Sequence, residues 1–258
     1  MNISSPLRRR LAKPAFPRAS TYDPQWVFEA MMGPNVLWLA EWASQAVPLS
    51  RGMRILDLGC GKAASSIFLA KEFDVTVSAV DLWIQPTENW KRIEAAGMAD
   101  RIVPVHAEAH SLPFADGYFD AIFSFDAYHY FGTDDLYIGY ISRFIRPGGR
   151  ICIVVPGLVR ELPEAPPQEL RPYWEWEFCS FHSADWWRRH WSKTGRVEVE
   201  IADNLADGWR LWAEWNECCA EVGAGLGDGS VVAREAEMLR LDGGQTLAFT
   251  RVIARRPD

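Results

Sequence analysis

Residues 53–64, Met-Arg-Ile-Leu-Asp-Leu-Gly-Cys-Gly-Lys-Ala-Ala, constrain this chain more than any other stretch. The apolar run Arg54–Leu58 reads as a buried strand. The chain then turns through Gly59, Cys60 and Gly61 into a helical pattern from about Ala63 to Lys71. Strand, glycine turn and helix in that order make a ligand cradle, because glycine admits positive φ and close backbone approach while the N–H groups opening a helix receive an anionic group. The plain alternative is a glycine turn that only lets the helix pack on the strand.

The rest of the composition narrows what the cradle serves. A chain of 258 residues suits one large α/β domain with an elaboration, or two small ones, and the single domain is the simpler expectation. Its net charge of −7 supplies no domain-wide positive field to hold nucleic acid, so a small-molecule partner is expected. Five Cys (60, 152, 179, 218 and 219) include no C-x-x-C pair, which indicates neither a metal site nor a disulfide framework and fits a reducing cytoplasm. No apolar run approaches a membrane span, and the basic Arg8-Arg9-Arg10 is not followed by a signal-type apolar segment. Most of the thirteen Trp lie outside residues 53–157, so the aromatic surplus belongs to the flanks.

Along the chain, residues 1–20, with Pro6, Pro14 and Pro17 among five basic residues, read as a mobile arm. Residues 22–46 give two short helices split near Gly33-Pro34, a helical cover. After the first strand and helix, Val75–Val80 is a second buried strand ending at Asp81. A helix over Pro86–Gly97, a strand over Arg101–His106 and a strand over Phe119–Phe125 follow. Next come a helix over Thr133–Ile145, a turn at Arg146–Gly149 and a strand over Arg150–Val155.

Beyond Pro156, Pro163–Pro172 reads as a loop and Ser183 opens a helix with Trp186, Trp187, His190 and Trp191 on one face. A second helix, Asn204–Val222, carries Trp209, Trp212 and Trp215 on a stripe. These stripes are either core or the walls of a pocket for a planar, apolar or cationic acceptor. Val197–Ile201 and Gln245–Ala254 are the last strands, with a helix over Ser230–Leu241 between them.

Gly59-x-Gly61-x-x-Ala64 fits the dinucleotide fingerprint, with Asp81 22 residues after Gly59 as its ribose-binding acid. Asp57 separates the readings, since an acid two residues before the first glycine wants a cation where nicotinamide-binding strands stay apolar. Ile55-Leu56-Asp57-Leu58-Gly59-Cys60-Gly61 resembles motif I of the class I S-adenosylmethionine (SAM) dependent methyltransferases. Glu108-Ala109-x-x-Leu112-Pro113-Phe114 resembles that family's segment after the third strand, with Glu in place of the commoner Asp. Arg146-Pro147-Gly148-Gly149 resembles its turn before the fifth strand, so the likeness spans about residues 53–156.

The resemblance implies a Rossmann-like α/β sheet of order 3-2-1-4-5-7-6 with the last strand antiparallel, N-terminal helices, and a Trp-rich C-terminal elaboration. Residues 21–258 would form one domain, with 53–156 as core and 157–243 on the acceptor side. SAM, released as S-adenosylhomocysteine (SAH), would meet Asp57 with its ammonium, Gly59, Cys60 and Gly61 with its methionine end, and Asp81 with its ribose. Its adenine would lie by Leu82, Glu108 and Ala109, with Phe125 at the end of the fourth strand. In parallel sheets ligands lie beyond the strands' carboxyl ends, so Asp126, Tyr128 and His129 would face the reactive end. His129 is the favoured base, or else a wall residue. The implied activity is SAM-dependent methyl transfer to a small acceptor, aromatic or apolar. The alternatives are a nicotinamide oxidoreductase, which Asp57 and Leu112-Pro113-Phe114 disfavour, and a non-catalytic SAM-binding protein.

Overall fold

β-branched runs alternating with helical segments produce a single seven-stranded sheet. In a computed structural model that describes residues 3–225 and 230–258, the strands are β1 (Arg54–Leu58), β2 (Thr76–Asp81), β3 (Ile102–His106), β4 (Phe119–Phe125), β5 (Ile145–Leu158), β6 (Glu198–Asn204) and β7 (Leu247–Arg255). Their order is β3-β2-β1-β4-β5-β7-β6. The first five run parallel, and β7 inserts antiparallel to both β5 and β6. The class I order expected from the resemblance is therefore the one the chain adopts.

The helices are α1 (Ser5–Leu11), α2 (Pro24–Glu29), α3 (Val36–Ser44), α4 (Ala64–Phe73), α5 (Pro86–Ala95), α6 (Tyr137–Ile141), α7 (Ala184–Ser192), α8 (Gly208–Val222) and α9 (Ser230–Asp242). Because side chains alternate along a strand, each buried strand feeds both faces of the sheet. Ile55, Val77, Ala121 and Phe123 join a core under α1–α4, α8 and α9. Leu56, Val80, Ile122 and Ile151 join a second one under α6 and α7, which holds Trp187 and Trp191.

Four expectations need correction. The N-terminal segment is a docked strap rather than a mobile arm: Ile3, Leu7, Leu11 and Phe16 are buried, and Phe16 stacks on Trp38 with centroids 6.3 Å apart. Arg10 reaches Glu217 and Glu221 at 3.1 and 3.0 Å, and Lys13 reaches Glu214 at 2.7 Å, so α1 is tied along α8. The helix expected over Thr133–Ile145 shrinks to α6 and a 3-10 turn at Ser142–Phe144, because Asp134 Oδ1 accepts the Leu136 N–H at 2.7 Å and holds the chain in a turn. β5 begins at Ile145, with Arg146–Gly149 carried as a bulge between the Phe119↔Ile145 and Ala121↔Arg150 pairs. Residues 204–207 do not belong to α8: β6 pairs with β7 as far as Asn204↔Thr250.

Candidate functional site

The carboxyl ends of β1, β2 and β4 open onto one cavity of about 470 Å³, within the usual range for a small-molecule site. The glycine turn forms its floor. Gly59 and Gly61 take φ of +76° and +53°, and Ala63 follows at +62° to open α4 without any side-chain cap. Gly59 is also needed for space, since a Cβ there would collide with the Cβ of Ala127, whereas one on Gly61 would make only a tight contact, 3.2 Å from Met32 Cγ.

The turn's N–H groups are not all free for a ligand, as a bare cradle would have them. Gly59 and Cys60 donate to the Val80 carbonyl at 2.8 and 3.0 Å, and Gly61 donates to Asp81 Oδ2 at 2.8 Å. The N–H groups left to a ligand are those opening α4, where Ala64 and Ser65 line the cavity.

Asp57 lies behind this floor. It is fully buried, does not line the cavity, and turns Oδ2 onto the Ser65 and Ser66 hydroxyls, each at 2.6 Å. Its Oδ1 has no hydrogen-bond partner, and burial raises its pKa to about 6 against the lowering effect of the two serines. The expectation that Asp57 itself meets the ligand is therefore corrected: its side chain joins β1 to the first turn of α4.

Asp81 does reach the cavity. Its Oδ1 takes the Trp83 and Ile84 N–H groups at 2.8 Å each while Oδ2 takes Gly61, so the strand-end acid locks two loops together and presents its remaining lone pairs. Leu82 and Trp83 lie at the exposed rim, and Ala109 and Phe125 are buried wall residues. Glu108 lines the cavity but folds back on its own loop, taking the His110 N–H at 2.9 Å and pairing with the His110 ring at 2.8 Å. That hydrogen bond lowers its pKa.

The residues after β4 divide. Asp126 sits at φ +53°, lines the cavity and packs so close to Gly33 that a Cβ there would strike its carboxylate. Burial, and then the charge of Glu235, push its pKa well above the ordinary carboxylate value. His129 is 2% exposed on the cavity wall; its Nδ1 has no partner, and burial drops its pKa to about 3, which keeps the ring neutral. Tyr128 does not line the cavity. It is fully buried away from the cavity among Tyr137, Trp187 and Trp191, with centroids 5.5, 5.7 and 5.6 Å away, because the tight 3-10 turn Tyr128–Tyr130 sends this ring to the second core while His129 and Tyr130 line the cavity.

The Trp stripes also divide. Trp187 and Trp191 are core, whereas Trp212 and Trp215 line the cavity. Trp215 stacks on Phe28 at 5.1 Å and donates its indole N–H to the Gly33 carbonyl at 2.8 Å, pinning the α2–α3 cover to α8. Sequence reasoning left Gly33, Met32, Glu177, Phe181 and Glu235 out of the site. For Gly33 the signal was available as the break between two helices; for Glu235, on an ordinary charged helix, there was none.

A family model described as a methyltransferase domain matches residues 55–149. Among curated proteins, the 27-O-demethylrifamycin SV methyltransferase of Amycolatopsis mediterranei is 28% identical over 228 residues, covering 82% of this chain and 80% of that one. Among solved structures, phosphoethanolamine N-methyltransferase 2 of Haemonchus contortus, in complex with SAM, matches with a TM-score of 0.74 at 18% identity over 98% of this chain and 60% of that one. The geranyl diphosphate C-methyltransferase of Streptomyces coelicolor A3(2) matches with a TM-score of 0.67 at 16% identity over 99% and 100%. At such identities the two structures speak for the fold, while the domain match and the curated relative speak for the chemistry. No helix among the described residues is long and apolar enough to cross a membrane. With a positive-φ glycine floor, an acid at the tip of β2, the 3-2-1-4-5-7-6 sheet of the class I fold and a methyltransferase domain matched over residues 55–149, this chain is a SAM-dependent methyltransferase that acts on a small molecule.

Proposed function

We propose that the chain binds SAM with its methionine end on the 59–65 turn, its ribose at Asp81 and its adenine beside Glu108 and Ala109. The methyl then faces an aromatic or apolar acceptor between the Asp126–Phe131 segment and Trp212 and Trp215. In this reading residues 22–46 cover the site and 157–243 form the acceptor side of one domain, with nucleic acid excluded by a net charge of −7. The observation that carries it is one cavity whose lining joins the glycine turn and Asp81 to Phe178, Phe181, Trp212 and Trp215.

When bound, SAM supplies an electrophilic methyl group on a positively charged sulfur. The chain's own contribution is first alignment, for which a fully organised site lowers a barrier by roughly 7–11 kcal/mol at best. His129, a wall residue whose ring burial keeps neutral, orients an attacking group by accepting its hydrogen bond. Asp126 lines the same wall and is the carboxylate that follows β4 into the acceptor space. The aromatic walls exclude water from the transfer.

Calorimetric titration with SAH tests the binding half. Gly61→Val should abolish the heat while the circular-dichroism spectrum is kept; affinity equal to wild type would refute the cradle assignment. His129→Ala, assayed by SAH release with an accepted substrate, should lower kcat with SAM affinity kept, and undiminished turnover would make His129 a wall residue.

A further inference from the structure

The acceptor end of the cavity is more acidic than a site for a purely apolar molecule needs to be. Asp126 after β4, Glu177 in the 3-10 turn Trp176–Ser180, and Glu235 on α9 all line it. Among the described residues Lys62 is the one Lys or Arg that lines the cavity, and its ammonium is engaged by the Glu29 and Met31 carbonyls at 2.9 and 3.2 Å. Arg234, beside Glu235 in sequence, turns instead to Glu175 at 2.9 Å and to the Pro172 carbonyl. Glu235 accepts a hydrogen bond from Asn216 Nδ2 at 2.8 Å, and Trp212 lies beside it. Burial and then the Glu235 charge raise the Asp126 pKa, and burial, with the Glu177 and Glu175 charges adding to it, raises that of Glu235. Acidic groups lining one cavity and raising one another's pKa call for a counter-charge.

An independent feature points to a ligand with several donors. His129, 2% exposed, stands in the same wall; its Nδ1 is buried without a partner among the described residues, and the ring, kept neutral by burial, can accept a hydrogen bond. The remaining walls, Trp212, Trp215, Phe181 and Tyr130, present aromatic surface to the same space. A hydroxyl has one proton to give, whereas an ammonium has three, and only the ammonium also answers the charge and the ring faces.

Resting on the methyltransferase reading above, we propose that the methyl acceptor carries a protonated amine, held by Asp126, Glu235 and the His129 ring. The amine is a recognition handle here; which atom of the acceptor receives the methyl group is a separate matter.

The test uses the full chain saturated with SAH at pH 7.5 and matched probe pairs that differ in an ammonium or a hydroxyl on one aromatic body: 2-phenylethylamine with 2-phenylethanol, and tryptamine with tryptophol. Calorimetry should give at least one amine an affinity roughly tenfold above its alcohol, as expected for hydrogen bonds to a charged group. The ratio should fall toward one in Glu235→Gln, which keeps an acceptor for Asn216, and separately in Asp126→Asn, since Asn tolerates the left-handed backbone found there. SAH affinity in each variant reports that the fold is intact. Equal or better binding of the alcohols, or no binding by any probe, overturns the proposal. So does a Glu235→Gln variant that loses affinity for SAM but not SAH, since the carboxylate would then serve the sulfonium. Absence of SAH binding by the wild type would instead refute the reading on which the proposal rests.

Discussion

Asp57 and Asp81 are both strand-end acids, 24 residues apart, yet they differ in what surrounds them. Asp81 is ringed by N–H donors at the mouth, while Asp57 is sealed under α4 with one oxygen unpaired. Because Asp57 has a native pKa of about 6 against an ordinary 3.8, the folded state holds a proton more tightly than the unfolded state between those values. Stability should therefore fall as pH rises from about 4 to 6 and level off above, by on the order of 3 kcal/mol from this group. Comparing urea unfolding of wild type and Asp57→Asn across that range isolates the effect; parallel curves would mean that Asp57 does not titrate there. Asp81→Ala should weaken SAH by about 1.5–3 kcal/mol in calorimetry, the range for a hydrogen bond to a charged group, and unchanged affinity would remove it from the ribose. Motif spacing revealed that both acids belong near the turn. It did not reveal their partners, since the Ser65 and Ser66 hydroxyls engage Asp57 only once α4 has folded back over β1.

At the scale of elements, the N-terminal strap shows where pattern reading went astray. Prolines and arginines dominate residues 6–18, but Ile3, Leu7 and Leu11 recur every fourth residue, and that spacing builds the buried face of α1. The strap's far end is secured by Glu41, a buried acid on α3 that takes the Arg18 and Ala19 N–H groups at 3.1 and 2.7 Å. Phe16→Ala should cost about 3–5 kcal/mol in urea unfolding, the range for emptying an aromatic site, and a loss under 1 kcal/mol would return the segment to a dispensable arm. The two Trp helices make the opposite point. Both had legible stripes, but one stripe meets the sheet and the other meets the cavity, a difference set by which sheet face each helix covers.

For the whole molecule, coupling of ligand to fold follows from the cavity's construction. Its walls come from β1, β2 and β4, from the α2–α3 cover and from α8 and α9, so a ligand there bridges segments distant in sequence. Saturation with SAH at a hundredfold excess over its Kd should stabilise the protein by about 2.7 kcal/mol, read as a rise in Tm that grows with concentration; no rise at saturation would contradict binding to the native state. The sequence by itself determined the strand–glycine–helix unit, the strand order through its family resemblance, and the acids at the strand tips. Those depend on local rules: φ-permissive residues, β-branched runs and spacing along one chain. Only the tertiary structure decided that Tyr128 is core while its neighbour His129 is wall, that Asp57 stands behind the floor, and that Glu235 shares a cavity with Asp126. Side chains 109 residues apart come together through packing, and packing leaves no mark on spacing.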